Sequence, residues 1–481
     1  MREYCRWVRM MCTRDKVLDS RYERLMSHTN GNINFGIILF LLFLALIIVV
    51  YNVHSMLSLM PFLFLLAPIF FIIAFTNTDF ALFLLIFFML LSPEFSVGGV
   101  RGRSVVLRAD DVMLFVVFLG WMARMAVNKE LGVTKVTPLN QPIVIYVFIC
   151  IISTLFGILL GTVRWKESIF YVLKYCEYFL LYFMVVNILK DRKQIKSFVY
   201  AMLGVGLVIS IYAWFMHFSG AERVTAPFEG KSGEPNTLGG YLTLMMMVTT
   251  GIILNSSSFR EKLILSLGMC VSFPALLFTL SRSSWFGFIP AYLVLMFLSR
   301  RGKQMLLIVS LLFIMLFSVI FPKYVYQRIS YTFSDQTKRT VLGKKITMDE
   351  SAAARVDTWK DSIRHWARSP ILGNGAGSAG SVVDNQYMRV LIEVGIVGTV
   401  AFFLLLLAIT RSAFKSLSEL REDNFGHGLT AGFIAGFVSL LVHSFAAATF
   451  ILIRIMEPFW FLLAIVVMLP EINREEKMLQ A

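Results

Sequence analysis

Gln141–Val163 reads QPIVIYVFICIISTLFGILLGTV, 23 residues without a charged side chain. A helix needs roughly 20 mostly apolar residues to cross about 30 Å of hydrocarbon, so this stretch is long enough to span a bilayer. The same signal recurs near 33–51, 56–75, 79–92, 110–127, 168–189, 195–218, 236–254, 261–280, 282–299, 303–321, 387–410, 428–447 and 451–469. Composition agrees: the 481 residues are 57% hydrophobic, 14% aromatic and only 16% charged. Mean hydropathy is +0.73, more apolar surface than a soluble core of this size conceals. The expected fold class is therefore all-α: a polytopic integral membrane helix bundle of about 12 to 14 spans.

Orientation follows from Lys and Arg in the short connections, because cytoplasmic loops retain positive charge. Residues 1–32 carry Arg2, Arg6, Arg9, Arg14, Lys16, Arg21 and Arg24 ahead of the first apolar run. By parity, KDRKQIK at 190–196 and SRRGK at 299–303 fall on the same side. The amino terminus is thus expected in the cytoplasm, with the first span a retained anchor rather than a cleaved signal. The expected domains are a basic tail (1–32), an N-terminal bundle (33–321), a large extracytoplasmic loop (322–386), C-terminal spans (387–470) and a cytoplasmic tail (471–481).

The net charge of +15 reads as topogenic charge with attraction to anionic membrane lipids, not as a nucleic-acid footprint. Of five cysteines, Cys5 and Cys12 lie in the tail and Cys150, Cys176 and Cys270 within spans. None is placed for an extracytoplasmic disulfide or a metal site.

The loop 322–386 is the one long extramembrane segment, and long loops tend to carry function. It holds ten basic against six acidic residues, on the side where the charge rule predicts depletion, which suits an anionic ligand. Within it SAAARVDTWKDSIRHWARSP spaces Val356, Trp359, Ile363 and Trp366 as an amphipathic helix ended by Pro370. It should lie at the membrane surface or cap the bundle. GNGAGSAG then reads as a flexible connector before Asp384. Other outward segments add Arg223, Lys231 and Asn236 at the mouth of the bundle and Arg282 in a tight turn between two apolar runs. A charge at membrane depth is costly and marks a pathway or a partner; the alternatives are a snorkelling helix-end residue for Arg282, a solvated loop charge for Arg223, and pairing with Glu350 or contact with lipid headgroups for Arg355. Asp384 suits a helix N-cap. Glu393, two turns into the next span among Leu391, Ile392 and Val394, needs an arginine partner or a polar cavity. His365 stands as an alternative proton acceptor.

Arg223 with Pro235–Asn236, then LSRSS at 280–284, ARVDTW at 354–359, SPILGNGAG at 369–377 and DNQYMRVLIEVGIVG at 384–398 form an ordered set. It resembles the O-antigen ligase and O-antigen polymerase family of bacterial envelope membrane proteins. The likeness covers roughly 220–400 and is sharpest from Arg355 to Gly398. It implies glycan transfer on the outer face of the bacterial inner (plasma) membrane, from an undecaprenyl-diphosphate carrier to an acceptor glycan or lipid A-core. No cofactor and no metal are implied, and envelope-assembly partners are possible. Arg223, Arg282 and Arg355, with Lys231 and Asn236, would hold the diphosphate. Ligases of the family typically place His-Asn where this chain has Asp384–Asn385, and that histidine is their general base. Asp384 would then take the acceptor proton, Glu393 would share the catalytic site, Asn385 would orient the carboxylate or a sugar hydroxyl, and Tyr387 would stack on a sugar. The aspartate favours a polymerase over a ligase. The alternative from another class is a transporter or flippase for an envelope precursor; its expected internal repeat is not evident.

Overall fold

The computed structural model describes residues 60–100, 103–129, 135–229, 233–300, 302–315, 337–341, 344–348, 350–380 and 383–480. The basic tail, the 33–51 span and Lys231 lie outside them. The helical bundle belongs to one compact unit, Ala67–Ala481. In chain order the helices are α1 (Met60–Thr76), α2 (Thr78–Leu91), α3 (Ala109–Val127), α4 (Asn140–Leu159), α5 (Trp165–Ile188), α6 (Arg192–Phe218) and α7 (Pro235–Asn255). Then come α8 (Phe259–Phe278), α9 (Arg282–Leu298), α10 (Lys303–Met315), α11 (Glu350–Trp366), α12 (Gln386–Glu419), α13 (Asn424–His443) and α14 (Ile453–Gln480).

Every apolar run expected to span within the described residues is a helix, and eight are long and apolar enough to cross a membrane. Two ends differ. α12 continues to Glu419 and α14 through the segment expected as a tail, because polar helix formers extend both beyond the apolar stretch. Two antiparallel hairpins decorate the bundle: β1 (Glu94–Val100) with β2 (Arg103–Arg108), and β3 (Thr337–Val341) with β4 (Lys344–Met348). The large loop therefore carries a β-hairpin beside its amphipathic helix.

Burial separates central from peripheral helices. α7 and α14 are buried nearly all round, as is most of α13, whereas α4 exposes Val144, Phe148 and Leu155 and α6 exposes Phe215. The exposed apolar faces are what lipid covers. α13 packs antiparallel on α7 through Gly428, Gly432 and Gly436. A Cβ on Gly432 would lie 2.6 Å from Met247 O, and one on Gly251 2.2 Å from Gly428 O. Small residues let two backbones touch where burial of apolar surface supplies no drive between helices.

The bundle has two polar rims. On one, Lys190 pairs with Asp79 at 3.0 Å, Arg192 with Asp423, and Arg474 with Glu419 at 3.0 Å. Arg300 donates to the Arg421 carbonyl at 2.9 Å. The two basic connections that parity placed together thus meet on one rim. The opposite rim carries the N-termini of α7, α9 and α12, the C-terminus of α13, and α11.

Candidate functional site

The opposite rim is built around a three-residue turn between α8 and α9. Leu280 sits there at φ +50, unusual for a branched residue, and Arg223 holds the turn: Nε donates to Thr279 O at 3.1 Å and Nη2 to Leu280 O at 3.4 Å. Ser281 caps α9 by accepting from Ser284 N. It also donates to Asn236 Oδ1 at 2.8 Å, tying the start of α9 to the start of α7. A Cβ on Gly239 would lie 2.2 Å from Ser284 Oγ, so the first turns of the two helices are in close contact. Half-buried Arg282 opens α9 beside them. Helix N-termini carry partial positive charge and free N–H groups. With Arg223 and Arg282 they give this corner a cationic character suited to phosphate.

α11 brings Arg355 to the same rim, half-buried. The helix is amphipathic as expected: Val356, Trp359 and Trp366 are half-buried and Ala353 and Ser362 buried, while Ile363 is 48% exposed. Trp366 packs on Ala379, Val383 and Ile392 and donates to Pro370 O at 3.1 Å. Desolvation, with the Arg368 charge nearby, holds the half-buried His365 imidazole below its ordinary value. That favours the neutral ring, whose backbone carbonyl anchors Asn374 at 3.3 Å.

The segment expected to be a flexible connector is instead a wedge. α12 breaks at Gly395 (φ 65°, ψ −166°), and the backbone groups released there are taken up by residues 370–375. Asn374 N donates to Ile392 O and Gly375 N to Glu393 O, both at 2.9 Å; Ile396 N donates to Pro370 O at 2.9 Å and Val397 N to Ile371 O at 3.2 Å. A Cβ on Gly395 would lie 2.3 Å from Ile371 O, and one on Gly373 2.5 Å from Glu393 O. The glycines permit close approach of two backbones, and irregular backbone survives at membrane depth only when so satisfied.

The residues around 384 divide sharply. Asn385, not Asp384, caps α12, accepting from Tyr387 N at 2.9 Å and Met388 N at 3.0 Å while its amide donates to Phe445 O at 2.9 Å. Its side chain is thus spent on structure. Half-buried Tyr387 donates to Leu441 O at 2.8 Å and packs on Phe403 and Phe445. Asp384 is exposed, and among the described residues none hydrogen-bonds its carboxylate.

Glu393 is 2% exposed and finds the arginine it needed in Arg389, at 3.0 Å. Tyr175 donates to its other oxygen at 2.8 Å. Arg389, 1% exposed, also donates to Gly380 O at 2.6 Å and Val383 O at 3.3 Å. Its four-residue spacing from Glu393 is visible in RVLIE, but nothing in the loop sequence points to it. Buried ion pairs at Arg108–Asp110 and Arg454–Glu229 and the Lys174–Asp111 pair are likewise signalled only as charges next to apolar runs.

A family model described as O-antigen ligase matches residues 267–403. A search of curated proteins finds no match. The matched stretch contains Arg282, Arg355, Asp384 and Glu393, and leaves Arg223, Lys231 and Asn236 outside it. The match supports membrane glycan transfer of the O-antigen ligase and polymerase kind in general, and the apolar helices make the chain a multi-pass membrane protein. Across the turn of Arg282, helix α11 and the Asp384–Gly398 junction, residues 267–403 are similar to the O-antigen ligase family.

Proposed function

We propose that the protein transfers a glycan from an undecaprenyl-diphosphate carrier to an acceptor sugar hydroxyl on the outer face of the bacterial plasma membrane, as a polymerase in preference to a ligase. The carrying observation is the cationic corner: two touching helix N-termini, the Arg223-held turn and Arg282. A lipid diphosphate presents its charge at the membrane surface, which this reading puts at the rim that carries the corner. The basic rim at 190–196 and 299–303 supports the assignment of the opposite rim to the outside.

In this reading Arg282 and Arg355 bind the diphosphate with planar forks, Arg223 fixes the turn, Asn236 ties it to α7, and Lys231 adds a further positive charge. The acceptor hydroxyl attacks the anomeric carbon, its proton passes to the Asp384 carboxylate, and the anomeric C–O bond breaks with its electron pair going to the diphosphate. Arginines placed before reaction stabilise that developing charge without reorganisation. Exposed, and with no hydrogen bond to its carboxylate among the described residues, Asp384 is the group that meets the acceptor in this reading. Asn385, Tyr387 and Glu393 position it by holding the start of α12 and the loop before it.

A broken helix is also what transporters use to bind ions at mid-membrane. Here the backbone groups of the break at Gly395 are occupied by residues 370–375, which argues against that reading. The test is purified protein supplied with an undecaprenyl-diphosphate oligosaccharide. A ladder of lengthening products supports polymerisation, and a single addition that needs lipid A-core supports ligation. No transfer, with movement of the intact lipid across vesicles, would favour a flippase.

A further inference from the structure

His443 ends α13 in a position the transfer chemistry above does not use. The glycine stripe sets the register that puts it there: Gly428 against Gly251, Gly432 against Met247, Gly436 against Leu244, and at the rim His443 against Gly240. A Cβ on Gly240 would lie 3.4 Å from His443 Cε1. The side chain is 0% exposed. Its Nδ1 shares a hydrogen bond with Thr449 Oγ1 at 2.8 Å, whereas its Nε2 is buried and makes no well-formed hydrogen bond among the described residues. The ring lies close enough to the Asn236 backbone for a hydrogen-bond interaction, and the Arg355 charge acts on it from further away.

A buried imidazole nitrogen is costly to leave without a hydrogen bond, and this one lies at the meeting point of the α7 N-terminus, the Asn236–Ser281 link and Arg355. We propose that His443 is a positioning residue of the outer site. With Nδ1 held by Thr449 and the ring packed against Gly240, Nε2 is the nitrogen left to meet the Asn236 backbone, so the ring keeps the first turn of α7, and through Asn236 the serine turn before Arg282, in register for the lipid diphosphate. The inference rests on the reading of this corner as a lipid-diphosphate site.

The two ring nitrogens are separable by substitution. In His443→Asn the amide reaches the Nδ1 position and keeps the Thr449 contact; in His443→Gln it reaches the Nε2 position; His443→Phe fills the volume with neither. KM and kcat for an undecaprenyl-diphosphate oligosaccharide, affinity for undecaprenyl diphosphate alone, and melting temperature are measured for each purified variant. Phe and Asn should raise KM and weaken binding about tenfold with kcat nearly unchanged, as loosening a binding site without touching the reacting groups does, and Gln should restore both. If Phe fails to fold, the Asn and Gln pair decides. Asn resembling the native protein while Gln is impaired would assign His443 to the Thr449 bond alone, and unchanged KM in every variant would equally overturn the proposal. Arg282→Ala separates the two levels: losing transfer there while His443 variants behave normally sinks only this inference. Native protein that neither binds nor transfers sinks the parent reading with it.

Discussion

Removing either member of the Arg389–Glu393 pair should cost as much as removing both, or more. The charges are 3.0 Å apart and 1–2% exposed, so at an effective dielectric of about 20 their attraction is about 5.5 kcal/mol. Arg389→Met leaves Glu393 buried with Tyr175 alone, and Glu393→Met leaves Arg389 facing two carbonyls; breaking a buried pair in this way typically costs about 3–5 kcal/mol. In the double variant both charges are gone, and what remains is the loss of hydrogen bonds to Tyr175, Gly380 and Val383, about 1 kcal/mol each. The expected coupling is therefore at least about 2 kcal/mol, read from unfolding of the three variants in mixed micelles. Transfer by the folded double variant should stay within a few-fold of native, because Glu393 holds structure. Additive costs would refute the ion-pair reasoning. A stable double variant without transfer would return Glu393 to the chemistry.

Arg282→Ala and Arg355→Ala should each slow transfer about tenfold or more, at least ~1.4 kcal/mol of barrier, with Lys rescuing only partly; full activity in both alanine variants would remove the diphosphate clamp. A cysteine at Thr347, on β4, should be labelled by an impermeant reagent in intact cells, and labelling only after lysis would invert the topology. Gly395→Ala should destabilise the protein by more than about 1 kcal/mol, since its φ of 65° and a Cβ 2.3 Å from Ile371 O demand strain and displacement together. A melting temperature equal to native would contradict the wedge.

The apolar helices were legible because a spanning segment must satisfy its backbone internally and cover its surface with apolar side chains, leaving a long unbroken signal such as Gln141–Val163. The charge pattern was legible too: Lys190, Arg192 and Arg300, which parity put on a common side, share one rim. What stayed hidden depends on contacts between residues far apart in the chain. GNGAG has the composition of a flexible loop, and only the break at Gly395, some twenty residues on, turns its glycines into a close-packed wedge. Asp384 and Asn385 are both good caps by type, and the chain direction into α12 decides in favour of Asn385. Arg389 and His443 looked ordinary because their meaning comes from Gly380, Tyr175, Thr449 and Gly240, brought near by packing.

The most direct test of the mechanism is Asp384→Asn in the purified transfer reaction. Because Asn385 supplies the cap, the substitution should leave stability within about 0.5 kcal/mol of native. An asparagine cannot take the acceptor proton, so turnover should fall by about 10² to 10⁴ while undecaprenyl diphosphate still binds, and Asp384→His should restore part of the rate. An Asn variant that transfers glycan at the native rate would contradict the assignment of the base and with it the proposed mechanism.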